Sequence, residues 1–267
     1  MKTRRMLLSG VFIFVLLAGI LGHPGAMAVQ ASEWYVGALV GGSFPAGIDI
    51  RSKVVEPSED EVTTFKTKNL DLNNSVIVGA KGGVCPGFFP YLCLELEFDH
   101  FWPSIGSQTV TDKGKEVDGG VLEESFSTTR RAKANIRVAN LDPMLIARYA
   151  FLQAAGYPLG GRLHLYAGVG PALIWTTQKM KTNEFVDDIA DNLSGKKDTD
   201  FSVGVAVPVG IKYFLTNNLA IFAEYKYKHW SPRFKFNATE EGDLQKFTTR
   251  TNMNANLVYF GLAWHIH

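Results

Sequence analysis

His229 and Ser231 stand two residues apart around Trp230. A base beside a hydroxyl nucleophile is what acyl hydrolysis uses, provided an acid orients the imidazole. Glu240 and Glu241 are the acids that follow, and they fall in a polar loop. His265 and His267 are also two apart, so on a strand they share a face. His164 falls at the same end of the chain's meander, yet a metal centre needs more ligands in fixed geometry. These imidazoles are read as polar filling, and no metal site is assigned. Cys85 and Cys93 bracket a short turn containing Pro86, Gly87 and Pro90. In an oxidising compartment they are expected to form a disulfide across that hairpin. The largest group is a set of charges inside otherwise apolar segments: Lys81, Glu95, Glu97, Asp99, Arg148, Lys212, Glu224, Lys226 and Lys228. Buried together, such groups persist only when paired and hydrogen-bonded. No glycine-rich phosphate loop is present, so no cofactor and no catalytic residue are assigned.

Composition narrows the elements that can position these residues. The chain has 267 residues, a formal net charge of +1, 46% apolar residues and 26 glycines. That apolar content and near-zero charge exclude a disordered chain. A nucleic-acid binder would show a basic excess, which is absent. Lys2, Arg4 and Arg5 precede an apolar run from Met6 to Leu21, and small residues follow. This pattern predicts a signal peptide over 1–28, cleaved after Ala28 or Ala31, ahead of one mature domain over 32–267.

From Ser32 onward, period-2 segments predict eight strands, at about 34–50, 75–85, 91–102, 134–152, 162–177, 201–215, 218–230 and 255–267. The connections alternate between short turns and long, polar, charged stretches. That places all long loops at one end of an up-and-down meander, the asymmetry of an outer-membrane barrel. The two faces of each strand set its orientation. Val203, Val205, Val207 and Val209 share one face of the sixth segment, and Gly204, Ala206, Pro208 and Gly210 share the other. Small residues suit a narrow lumen, so the bulky face meets lipid. By the same parity the nine charges point inward, as a salt-bridged, closed interior. Pro171 and Pro208 each remove a ladder donor, so a local bulge is expected at each. Trp34, Trp102, Trp175, Trp230 and Trp264 fall near strand ends, where interfacial aromatic belts lie.

Several segments carry a family resemblance: Trp34-Tyr35-Val36-Gly37, Leu165-Tyr166-Ala167-Gly168-Val169-Gly170-Pro171, Gly210-Ile211-Lys212-Tyr213-Phe214, Ala223-Glu224-Tyr225-Lys226-Tyr227 and the closing Tyr259-Phe260-Gly261-Leu262-Ala263-Trp264. The chain resembles the eight-stranded outer-membrane β-barrel family that includes the OmpA transmembrane domain, OmpX and the Opacity proteins. Members usually end in an aromatic residue; this chain ends Trp264-His265-Ile266-His267. The resemblance implies an all-β, eight-stranded antiparallel up-and-down transmembrane β-barrel with four long extracellular loops and short periplasmic turns. It implies a bacterial outer-membrane location and a structural or surface-interaction role. Expected partners are outer-membrane lipid and lipopolysaccharide, the barrel-assembly machinery, and surface ligands of the loops, with no nucleic acid. One alternative is a narrow channel for small or hydrophobic solutes. Another is a lipid A deacylase-like enzyme, whose His-x-Ser spacing His229 and Ser231 share.

Overall fold

Alternation of bulky and small side chains dictates strands with one apolar face, and lipid leaves no backbone group unpaired, so those strands must close. The computed structural model describes residues 31–56, 61–118, 121–180, 195–240 and 243–267. The expected signal peptide at 1–28 and Glu241 lie outside them. In chain order the strands are β1 (Glu33–Pro45), β2 (Ile48–Glu56), β3 (Glu61–Leu70), β4 (Ser75–Cys85), β5 (Leu92–Phe101), β6 (Ser104–Asp118), β7 (Val121–Gln153), β8 (Gly161–Met180), β9 (Lys197–Phe214), β10 (Leu219–Trp230), β11 (Arg233–Glu240), β12 (Asp243–Thr251) and β13 (Met253–Ile266).

Eight of these form a closed ring in the order β7-β5-β4-β1-β13-β10-β9-β8, with β7 pairing back onto β8. All pairings are antiparallel. The eight expected strands map onto this ring. The outward face is apolar and exposed: Val203 is 62% exposed, and Val36, Val40, Leu94, Leu262 and Ile211 share its setting. A continuous exposed belt of this kind has its natural solvent in acyl chains.

The long connections depart from expectation. Patterning predicts polar loops, yet three of the connections hold β2, β3, β6, β11, β12 and the upper half of β7. These pair in the order β11-β12-β2-β3-β6-β7, so part of the wall continues above the ring. Each of these three connections supplies a Thr- and Lys-rich hairpin whose edges find partners in the neighbouring ones; the fourth, between β8 and β9, falls mostly on 181–194, outside the described residues. That pairing depends on loop-to-loop proximity and leaves only a weak local signal.

A second correction concerns the prolines. The register of β7 on β8 is the same at Leu141↔Leu173 and Leu145↔Val169, and that of β8 on β9 is the same at Ala167↔Val209 and Gly170↔Ala206. No bulge forms at Pro171 or Pro208. The constant register sets Pro171 opposite Pro143 and Pro208 opposite Gly168. Two prolines facing each other lose the same rung of the ladder, and a glycine leaves room for a ring, so neither strand has to shift. Register shifts occur instead in the extension, between Ile48 and Ile50, between Ile105 and Gln108, and between Glu116 and Val117.

The outward valine row gives a direct check. Val207→Arg at mid-strand of β9 should lower unfolding free energy in lipid vesicles by about 2–4 kcal/mol. Urea titration followed by heat-modifiable mobility on cold gels measures it.

Candidate functional site

The inward faces of the ring strands meet in a narrow lumen, and the residues there stack in levels. At the short-turn end, Glu33 of β1 takes both arms of Arg148: Nη1 donates to Oε1 at 2.9 Å and Nη2 to Oε2 at 2.5 Å. His265 Nδ1 lies 2.5 Å from the same carboxylate, and Arg148 Nε donates to the Pro90 carbonyl at 2.9 Å. The Cys85–Cys93 disulfide closes the adjoining turn, with both residues buried on the inner face.

One level further in, Lys81 contacts Glu224 at 2.6 Å and Glu95 at 3.5 Å. The Tyr35 hydroxyl donates to Glu95 at 2.7 Å and the Tyr166 hydroxyl to Glu224 at 2.9 Å. Lys212 lies 4.2 Å above the Tyr35 ring, a cation–π contact. The tyrosine rings fit because glycines face them. A Cβ at Gly83 would stand 2.5 Å from the Tyr35 ring, and one at Gly210 the same distance from Tyr166.

The middle levels cross the lumen. On the wall, Glu97 stands directly beside Asp142 in the β5–β7 register, a like-charge pair that costs energy on its own. Lys226 of β10 reaches both, bonding Glu97 and lying 3.6 Å from Asp142. Lys228 reaches Asp99 at 2.5 Å and Asp142 at 2.7 Å. In the ring order β10 is diametrically opposite β5, so these lysines are struts across the full lumen. Asn140 donates to Asp99, and Tyr259 donates to it at 3.3 Å.

All nine charges assigned by parity are buried on the inner face. Asp142 and Glu33, absent from the expected set of nine, belong to the same network. Asp142 has the parity of Arg148 on one strand, and Glu33 that of Tyr35, so the signal was there. Two triads, Glu95–Glu97–Glu224 and Glu97–Asp99–Asp142, bring carboxylate oxygens within 4.8 Å of one another. They could hold a cation, but the ammonium groups of Lys81, Lys226 and Lys228 already stand among them.

Trp230 is corrected. Trp34, Trp102, Trp175 and Trp264 are exposed on the outer face, Trp34 at 58%, whereas Trp230 is 1% exposed. It shares the parity of Lys226 and Lys228 and therefore turns inward. Its indole N–H donates to Thr176 at 3.1 Å, and its ring meets Phe101 edge-on at 6.5 Å. The pair caps the charged levels toward the long loops. Ser231 donates to Asn252 at 2.8 Å, and His229 Nδ1 lies 2.7 Å from Asn254 Oδ1. The two engage separate amides, and the structure does not bring them together. His164 is buried against the carbonyls of Pro158 and Gly161, whereas His267 is exposed.

Removing one strut tests the network. Lys226→Met leaves Glu97 and Asp142 facing each other with less compensation and should cost about 3–5 kcal/mol. Lys133→Met on the exposed upper wall should stay within about 0.5 kcal/mol. Urea midpoints in detergent micelles compare the two.

The family described as outer membrane protein beta-barrel domain matches residues 13–265. No curated protein matches the chain. Among solved structures, the outer membrane protein OprG from Pseudomonas aeruginosa is 13% identical with a TM-score of 0.50, over 91% of this chain and 100% of that one. Neisserial surface protein A is 10% identical with a TM-score of 0.41, over 86% and 96%. The attachment invasion locus protein Ail of Yersinia pestis is 10% identical with a TM-score of 0.35, over 89% and 100%.

Proposed function

The chain belongs to the outer membrane protein beta-barrel domain family and resides in the bacterial outer membrane, and we propose that it serves there as a closed barrel with a structural and surface-interaction role. Residues 1–28 direct export and are removed, and the barrel-assembly machinery inserts the remainder. The barrel then anchors a raised β-wall that presents its outward surface to the envelope and to surface ligands.

The observation that supports this reading is the filled lumen. A conducting barrel keeps a continuous aqueous path. Here the path is crossed by Lys226 and Lys228, bounded at one end by the Glu33–Arg148–His265 cluster and at the other by Trp230 and Phe101. A void of about 10 Å³ between Tyr35, Glu95, Arg148, His164, Tyr166 and Lys212 has room for about one water. Catalysis receives no comparable support, because Ser231 and His229 are each committed to an asparagine.

Planar-bilayer recording tests it. The refolded mature protein should show no ion conductance above baseline at moderate voltage. Stable single-channel steps from the wild-type chain would replace the closed-barrel reading with the narrow-channel one.

A further inference from the structure

The raised wall carries an ordered charge pattern that the lumen does not explain. Following the register across its strands, Arg233 of β11 pairs with Arg250 of β12, Arg250 with Arg51 of β2, Arg51 with Lys66 of β3, and Lys66 with Lys113 of β6. Five basic residues on five adjacent strands thus stand in one transverse row, ending at Ser127 of β7. The next row on the same face reads Lys235, Thr248, Lys53, Thr64, Lys115 and Ser125. Neither row contains a carboxylate. Lys66 is half-buried and the other seven basic residues are exposed. None of the eight makes an ion pair with a residue whose side chain is described. Of the acids near the rows, Asp49 accepts the Asn69 N–H at 3.2 Å, and Asp198 accepts the Lys235 backbone N–H at 2.6 Å.

Like charges directly opposite on neighbouring strands destabilise a sheet, so a five-residue basic row calls for an anionic counterpart. At about 4.8 Å per strand the row spans about 19 Å, long enough to meet several anionic groups at once. Its direction identifies the source. The opposite face of these strands is buried, with Phe234, Phe236, Val54, Thr67 and Thr249 turned toward the barrel axis. The basic face is therefore the upward continuation of the lipid-facing side. On β13 that side turns polar after Val258, at Asn256 and Asn254. Arg250 lies eight residues beyond Val258, roughly 20 Å above the apolar belt at the usual strand rise and tilt. Groups at that height beside the barrel are the core sugars of neighbouring outer-leaflet glycolipid.

We infer that the Arg233–Arg250–Arg51–Lys66–Lys113 row is a docking rib for phosphate groups on the core sugars of outer-leaflet lipopolysaccharide. The inference rests on the outer-membrane location and not on the closed lumen, so it can fail while the conductance result stands, and the reverse. Each arginine offers a fork matched to phosphate oxygens, and bound phosphates screen the repulsion between facing strands. The rib thereby ties the raised wall to the lipid layer around it.

The test uses refolded mature protein in detergent, titrated with purified lipopolysaccharide before and after chemical dephosphorylation. Wild type should bind the phosphorylated form at least about tenfold more tightly, and Arg51→Gln/Lys66→Gln/Arg250→Gln should lose that preference. In glycolipid-free detergent the triple variant should melt at the same temperature as wild type or higher, because facing like charges have been removed. Equal binding by variant and wild type, or equal binding of the two glycolipid forms, overturns the proposal. A lower melting temperature of the variant in detergent alone overturns it too, since the row would then be holding the fold unaided. Tighter, rib-dependent binding of heparin than of lipopolysaccharide assigns the rib to a soluble sulfated polysaccharide and likewise ends the proposal.

Discussion

Lys226 and Lys228 reach across the barrel from β10 to Glu97 and Asp99 on the opposite wall, and the rest of the interior is arranged around that crossing. A closed ladder fixes each strand only to its two neighbours. The struts fix strands that never touch through their backbones, and so they set the cross-section of the lumen. A lysine is long enough to span it because the facing positions are small. Glycines at 83 and 210 admit the tyrosine rings that hydrogen-bond Glu95 and Glu224 at the neighbouring level. A bulkier inner face would leave no room for the ammonium groups. A wider ring would leave them short of their partners and open to water.

The outer surface meets the opposite constraint. Acyl chains offer no hydrogen bonds, so outward residues are valine, leucine, isoleucine and aromatics, and every backbone group must be paired within the wall. Proline breaks that rule, and the structure limits the damage by position. Pro143 and Pro171 face each other, so one missing rung replaces two separate gaps. The apolar belt and the ionic interior are therefore two results of one parity: each inward charge fixes an outward hydrophobe one residue away.

Above the membrane the solvent is water and sugar, and the same strands change character. The outer face of the wall carries two basic rows below a shorter row of Val55, Val62 and Val117, while its inner face keeps Phe234 and Phe236 packed near Met180 and Phe247. Its buried side extends the core upward, and its exposed side is free to serve recognition. A rigid wall of this kind holds charged side chains at fixed spacing, which irregular loops would not do.

Period-2 patterning in the sequence by itself determined the eight ring strands, the face each turns to lipid, and the inward set from Lys81 to Lys228, because inside and outside alternate residue by residue. The same rule, carried one step further, assigns Trp230, Asp142 and Glu33 to the interior; strand-end position outweighed parity for the tryptophan. Which charges meet was decided only by the tertiary structure, since partners such as Lys226 and Glu97 lie 129 positions apart and on opposite walls. The pairing of the long connections with one another was decided there as well. Their polar hairpins have no apolar face long enough to announce a strand, and their edges become strands only when closure of the ring brings neighbouring connections side by side.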